Sequence, residues 1–151
     1  MTKKRAILGT SVAFVVALLD GVFKYLALQT LPESGRVLFP VDLLLYKNPG
    51  IAFNIPLPLP LVTLITIVIL VAILPYAIRY KDKAPERAFA VLTIAFGAIN
   101  NLIDRLINGF TTDYLIFFGR SVINLSDILI VTGVFLLLVY TRKRSGGREN
   151  F

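Results

Sequence analysis

The sequence predicts an all-α integral membrane protein: four transmembrane helices with a small β-like platform in the first outer loop. Three observations lead there. Hydrophobic residues make up 56% of 151 residues, and the mean hydropathy of +0.78 is too high for a soluble domain of this size. The apolar residues fall into four blocks, each near the ~20 residues a membrane-crossing helix needs. Lys and Arg are concentrated between alternate blocks. The length suits one domain, residues 1–151. The chain has no Cys and no His. Disulfides, thiol nucleophiles, Ser-His-Asp chemistry and the usual zinc sites are therefore excluded, and no metal or cofactor is expected.

The helices are expected at about 6–28, 59–78, 88–107 and 122–140. The first is too long for the apolar core of a cleaved leader, and Asp20 and Lys24 stand where small residues would mark cleavage, so it reads as retained. The outer loop, 29–58, is long and apolar. Its run from Val37 to Tyr46 suits a small sheet or half-buried loop on the membrane surface, or a platform for an extended substrate. Pro56, Pro58 and Pro60 delay the start of the second helix, and Pro75 is a candidate bend. Lys3, Lys4 and Arg5, then Arg79, Lys81, Lys83 and Arg87, then Arg142, Lys143, Arg144 and Arg148 hold most of the sixteen cations. The other two loops hold only Arg36, Lys47 and Arg120. Both termini are thus expected in the cytoplasm, with the long loops outside. The net charge of +7 reflects topology, and no nucleic-acid partner is expected.

An ionisable group inside a membrane helix costs at least about 2.5–3.5 kcal/mol at the centre, so each needs a reason. Asp20, Lys24, Asp104, Arg105 and Asp127 all fall in the outer halves of their helices, and Asp113 sits at the same rim in the connection between helices 3 and 4. Asp20 and Lys24 have the i,i+4 spacing of a structural ion pair. Asn101, Asp104 and Arg105 share one face of helix 3, with Gly97 continuing it inward, and Asn124 and Asp127 share one face of helix 4. Because the connection is short, helices 3 and 4 are expected to be antiparallel neighbours, which lets Asp113 meet Asp127.

Two carboxylates about 3 Å apart cannot both ionise and hold one proton between them. The ionised member deprotonates a bound water, while the protonated member donates to a scissile carbonyl. That chemistry needs neither thiol nor imidazole. Arg105 is a competing partner for Asp127. On residue chemistry alone, a small proton- or ion-coupled membrane carrier stands beside the aspartyl hydrolase. The inner helix halves, which lack ionisable residues, count against a carrier.

The motifs resemble those of the lipoprotein signal peptidases, also called type II or prolipoprotein signal peptidases. Asp20-Gly21-Val22-Phe23-Lys24 is similar to the family's D-x-x-x-K segment, and Asn48-Pro49-Gly50-Ile51-Ala52-Phe53 to its N-x-G-x-A-F motif. Gly97 to Arg105 is similar to G-A-x-G-N-x-x-D-R. Thr112-Asp113-Tyr114 resembles V-D-F/Y, and Asn124-Leu125-Ser126-Asp127 resembles F-N-x-A/S-D. The resemblance spans nearly the whole chain. It implies a membrane aspartyl endopeptidase of the bacterial inner membrane that removes signal peptides from prolipoproteins, cutting before a diacylglyceryl-modified cysteine.

The resemblance further implies that Asp113 and Asp127 are catalytic. Asn48, Asn101, Arg105 and Asn124 would position substrate and carboxylates, and Asp20, Lys24 and Asp104 would support them. The implied partners are lipid-modified prolipoproteins and membrane lipid, with the site near the extracytoplasmic face; one chain supplies both carboxylates, so a monomer suffices. Three residues depart from the pattern: Asn100 stands for a usual Gly, Ile51 for Ala and Ile123 for Phe.

Overall fold

The computed structural model describes residues 1–34, 40–50, 57–117 and 121–145, the last three of these by backbone alone. The helices are α1 (Lys3–Thr30), α2 (Leu59–Tyr80), α3 (Pro85–Asn108) and α4 (Leu125–Ser145), and the strands are β1 (Val41–Asn48), β2 (Thr111–Phe117) and β3 (Ser121–Ile123). All four helices are long and apolar enough to cross a membrane. Arg36, Val37–Phe39, Ile51–Phe53, Arg120 and Arg148 lie outside the described residues.

Local chemistry sets the helix ends. The Thr2 side chain accepts from the Arg5 N–H and caps α1. The α2 helix begins only after Pro58, with Pro60 in its first turn, and runs through Pro75 to Tyr80. Gly109 stops α3 with φ 77°, a left-handed conformation that glycine adopts without a side-chain clash, and its N–H bonds the Arg105 carbonyl. The fourth helix starts at Leu125, not near 122 as expected. Ser121–Ile123 pair instead with Leu115–Phe117 as a strand.

The α3 helix is the hub, packing against α1, α2 and α4. Half of its apolar window is buried, against 17–22% for the other helices, whose Leu, Ile, Val and Phe side chains point outward. In a bilayer no hydrophobic force drives helices together, so close backbone packing and polar bonds must do it. Small residues serve that need. On α1 the buried stripe is Ala6, Ala13, Ala17, Asp20, Lys24 and Ala27. On the α3–α4 seam, a Cβ on Gly97 would fall 2.5 Å from the Ser126 carbonyl oxygen, and one on Gly133 would fall 2.6 Å from Ile94 Cγ1 and 2.8 Å from the Ala90 carbonyl oxygen.

The sheet order is β1-β2-β3, all antiparallel. The expected platform is present, yet two of its three strands come from the connection between α3 and α4. Tyr46 pairs with Asp113, Lys47 with Thr112 and Asn48 with Thr111, with an irregularity between Leu43 and Tyr46. This fixes Asp113 in register beside the end of β1.

The seam geometry makes a graded prediction. Gly97→Ala and Gly133→Ala each cost about 1–3 kcal/mol, because backbone on the facing helix must move. Gly21→Ala is neutral, since its Cβ would meet only Asn100 Oδ1 at 3.5 Å. Thermal unfolding in detergent measures the three; equal midpoints would show that the seam does not depend on these glycines.

Candidate active site

Asp113 is 1% exposed in β2 and is gripped by two amides: Asn48 Nδ2 donates to its Oδ2 at 2.9 Å and Asn124 Nδ2 to its Oδ1 at 2.6 Å. Asn48 is aimed by its own loop, because its Oδ1 accepts from the Gly50 N–H at 2.9 Å. Asp127 is half-buried in the first turn of α4. Asn124 caps that turn: its Oδ1 accepts from the Asp127 N–H at 2.9 Å, and Asp127 Oδ2 accepts from the Asn124 N–H at 3.4 Å. This is a capping box with Asp as the reaching-back residue. Asn101 Nδ2 donates to the other oxygen of Asp127 at 2.8 Å. Asn124 therefore touches both carboxylates and ties their positions together.

A second layer of buried charge holds the backbone on either side. Lys24 Nζ lies 3.3 Å from Asp20 and 3.2 Å from Asp104, and donates to Asn101 Oδ1 at 2.5 Å. Asp20 is fully buried and accepts from Tyr114 Oη at 2.6 Å, the Leu125 N–H at 3.0 Å, Ser126 Oγ at 2.6 Å and Asn100 Nδ2 at 2.7 Å. Asp104 accepts from the Thr112 N–H at 2.6 Å, Thr112 Oγ1 at 3.0 Å and Asn108 at 2.8 Å. The chain neighbours of Asp113, Thr112 and Tyr114, are thus each fastened to a carboxylate, and so is Ser126, the neighbour of Asp127.

Burial pushes the Asp113 carboxyl up to about 7, and the charge of Asp127 adds to the effect, while the Asn48 and Asn124 amides oppose it. Burial, and then the bond to Asp20, raise the Tyr114 phenol above the ordinary tyrosine range, so it stays a donor. Arg105 is near enough to Asp127, Asp104 and Asp113 to feel all three charges. It makes no ion pair among the described residues, and its buried Nε has no hydrogen-bond partner there. Asp127 is not locked against it.

The structure gathers every sequence-derived candidate at one end of the bundle. Asp20, Lys24, Asn48, Asn101, Asp104, Arg105, Asp113, Asn124 and Asp127 belong to one contiguous polar cluster. Sequence reasoning paired Asp20 with Lys24 and gave both a supporting role, but it missed their bonds to other elements and the contributions of Thr112, Tyr114, Ser126 and Asn108. Asn100 appeared there only as a departure, yet it donates to both Asp20 and Ser126. Polar side chains at helix-packing positions were the available signal. Beside the cluster, an apolar groove of about 340 Å³ runs from Asp127 along Ile123, Ile128, Val131 and Phe117. Among the described residues no group of His, Cys, Asp or Glu is arranged to hold a metal ion.

Comparison with known proteins agrees with this architecture. The chain is similar over 98% of its length to a solved bacterial membrane enzyme, at a TM-score of 0.77 and 23% identity, covering 93% of that chain. A second solved bacterial membrane enzyme gives 0.69 and 22%, over 98% of this chain and 95% of that one. The lipoprotein signal peptidase of Halothermothrix orenii is 36% identical over 135 residues, 85% of this chain and 91% of that one. That of Pelotomaculum thermopropionicum is 38% identical over 107 residues, 70% of each chain. The profile of signal peptidase (SPase) II matches residues 12–143. The chain belongs to the signal peptidase II family, the lipoprotein signal peptidases.

Proposed function

We propose that this peptidase works as an aspartyl endopeptidase on prolipoproteins, releasing the signal peptide before a diacylglyceryl-modified cysteine, with Asp113 and Asp127 as the catalytic pair. The observation that carries the reading is the clamp of Asn124 on both carboxylates. It brings them together, and among the described residues neither carboxylate forms an ion pair that would disarm it. Family membership supports hydrolysis, and nothing supports the carrier alternative.

The mechanism follows from the environments. Burial, with the negative charge of Asp127 added to it, draws the single proton of the pair toward Asp113. Asp127, at the mouth of the apolar groove, faces the space open to substrate and water. Asp127 takes a proton from the attacking water while Asp113 donates to the scissile carbonyl oxygen, giving a gem-diol; the C–N bond then breaks as Asp127 passes its proton to the leaving amine and Asp113 takes back a hydroxyl proton. Asn48, Asn101 and Asn124 fix carboxylate orientation, and Arg105, whose buried Nε has no partner among the described residues, supplies the cation for a substrate carbonyl. The groove suits a lipid chain or an apolar signal helix, both of which arrive laterally from the bilayer. The basic residues at the opposite end support an orientation with both termini in the cytoplasm of a bacterial cell and the site near the outer face of its inner membrane.

Replacing either Asp113 or Asp127 with Asn lowers turnover of a diacylglyceryl-modified prolipoprotein by about 10²–10⁴-fold. Gel-shift cleavage with purified protein reads this, and two variants that still cut normally would remove the pair from the mechanism. The working form carries one proton, so activity declines as pH rises through about 7, where Asp113 loses its hold. A kcat/KM profile flat from pH 6 to 9 would contradict that assignment. Topology has its own test, because the chain lacks cysteine. A single Cys at Glu33 reacts with a membrane-impermeant thiol reagent on intact spheroplasts, and one at Lys83 reacts only after lysis. The reverse pattern would invert the orientation.

A further inference from the structure

At the end of the bundle remote from Asp113 and Asp127, the N-terminal parts of α1 and α3 diverge around a cavity of about 530 Å³. That volume lies within the range of small-molecule sites. The cavity has two chemistries. Ile7, Phe89 and Leu92 give it apolar walls, whereas Lys3, Lys81 and Asp82 stand at its mouth. Leu92 is about 10 Å along α3 from Pro85 at 1.5 Å per residue, so the site reaches from the helix ends into the depth of acyl chains. Phe89 also closes it toward α1, with its ring lying where a Cβ on Gly9 would be 2.8 Å away.

We propose that this cavity binds one anionic phospholipid, its phosphate at Lys3 and Lys81 and an acyl chain along Ile7, Phe89 and Leu92. The charge fits an anion. Lys3 is paired to Asp82 at 2.5 Å, while Lys81 makes no ion pair among the described residues, so the mouth keeps a positive excess. Both flanking helices point their N-terminal ends here, adding the positive ends of two helix dipoles. A soluble anion would leave the apolar walls unfilled. A zwitterionic lipid would bring its own ammonium against the lysines. Each lysine near anionic lipid contributes about 1 kcal/mol, equivalent to about fivefold in affinity. The site is independent of the peptidase chemistry and of its assignment.

Native mass spectrometry of the full chain in detergent tests it, with phosphatidylglycerol and phosphatidylcholine of identical acyl chains and glycerol phosphate as the bare headgroup. Phosphatidylglycerol is retained over phosphatidylcholine, and Lys3→Gln and Lys81→Gln each lower its retention about fivefold. Asp82→Asn raises retention by releasing Lys3, a gain that mere loss of structure does not produce. Ser11→Trp, at an exposed position on the cavity wall, lowers retention by filling the acyl path. Equal retention of the two lipids, or phosphatidylglycerol retention unchanged in both lysine variants, would overturn the proposal. So would glycerol phosphate binding as tightly as the lipid and unaffected by Ser11→Trp, which would make this a soluble-anion site.

Discussion

The ammonium of Lys24 stands between the carboxylates of Asp20 and Asp104, and the geometry of the whole site descends from that arrangement. Each carboxylate anchors a different piece of backbone. Asp104 holds Thr112, and Asp20 holds Tyr114 together with the first residues of α4. Two negative groups buried this deeply could not remain side by side without the cation, and removing one member of a buried ion pair typically costs about 3–5 kcal/mol. The third bond of Lys24, to Asn101, turns that amide so that its Nδ2 faces Asp127.

The four aspartates of the cluster consequently differ in their surroundings. Asp20 and Asp104 are saturated with donors and serve the fold. Asp113 is held by two side-chain amides, which restrain it without supplying a full compensating charge. Asp127 is held by one amide and its own helix cap, and retains partial exposure. Close packing makes this possible, because Gly97 lets α4 approach until the Ser126 carbonyl lies against α3, and Ser126 precedes Asp127 directly.

Much of this was legible in the sequence, and the parts that were not share a cause. Apolar block length and the placement of cations gave four spans, since bilayer thickness and loop charge act on local sequence. The i,i+3 and i,i+4 spacings placed Asn101 with Asp104 and Arg105, and Asn124 with Asp127. Lys24 was different. Its spacing revealed the partner on its own helix but not Asp104 or Asn101, which reach it only through the packing of α1 on α3. The start of α4 was misplaced because Ser121–Ile123 is apolar enough to extend a helix, and only its pairing with Leu115–Phe117 makes it a strand. The β1–β2 register is equally non-local, so Asp113 was placed in a connection at the outer rim and not in a strand paired with β1.

Asn100 occupies a position where glycine is usual in the family pattern, and its amide bonds Asp20 and Ser126. Across from it on α1 is Gly21, where a Cβ would just touch Asn100 Oδ1 at 3.5 Å, so the crossing admits a methyl group and a larger side chain would press on the amide. The volume at the crossing of α1 and α3 is thus allotted jointly by two residues far apart in the chain. Chimeras that exchange either helix alone with a relative bearing a bulkier residue opposite would collide at this point. Helices 1 and 3 are therefore a matched set, to be transplanted together.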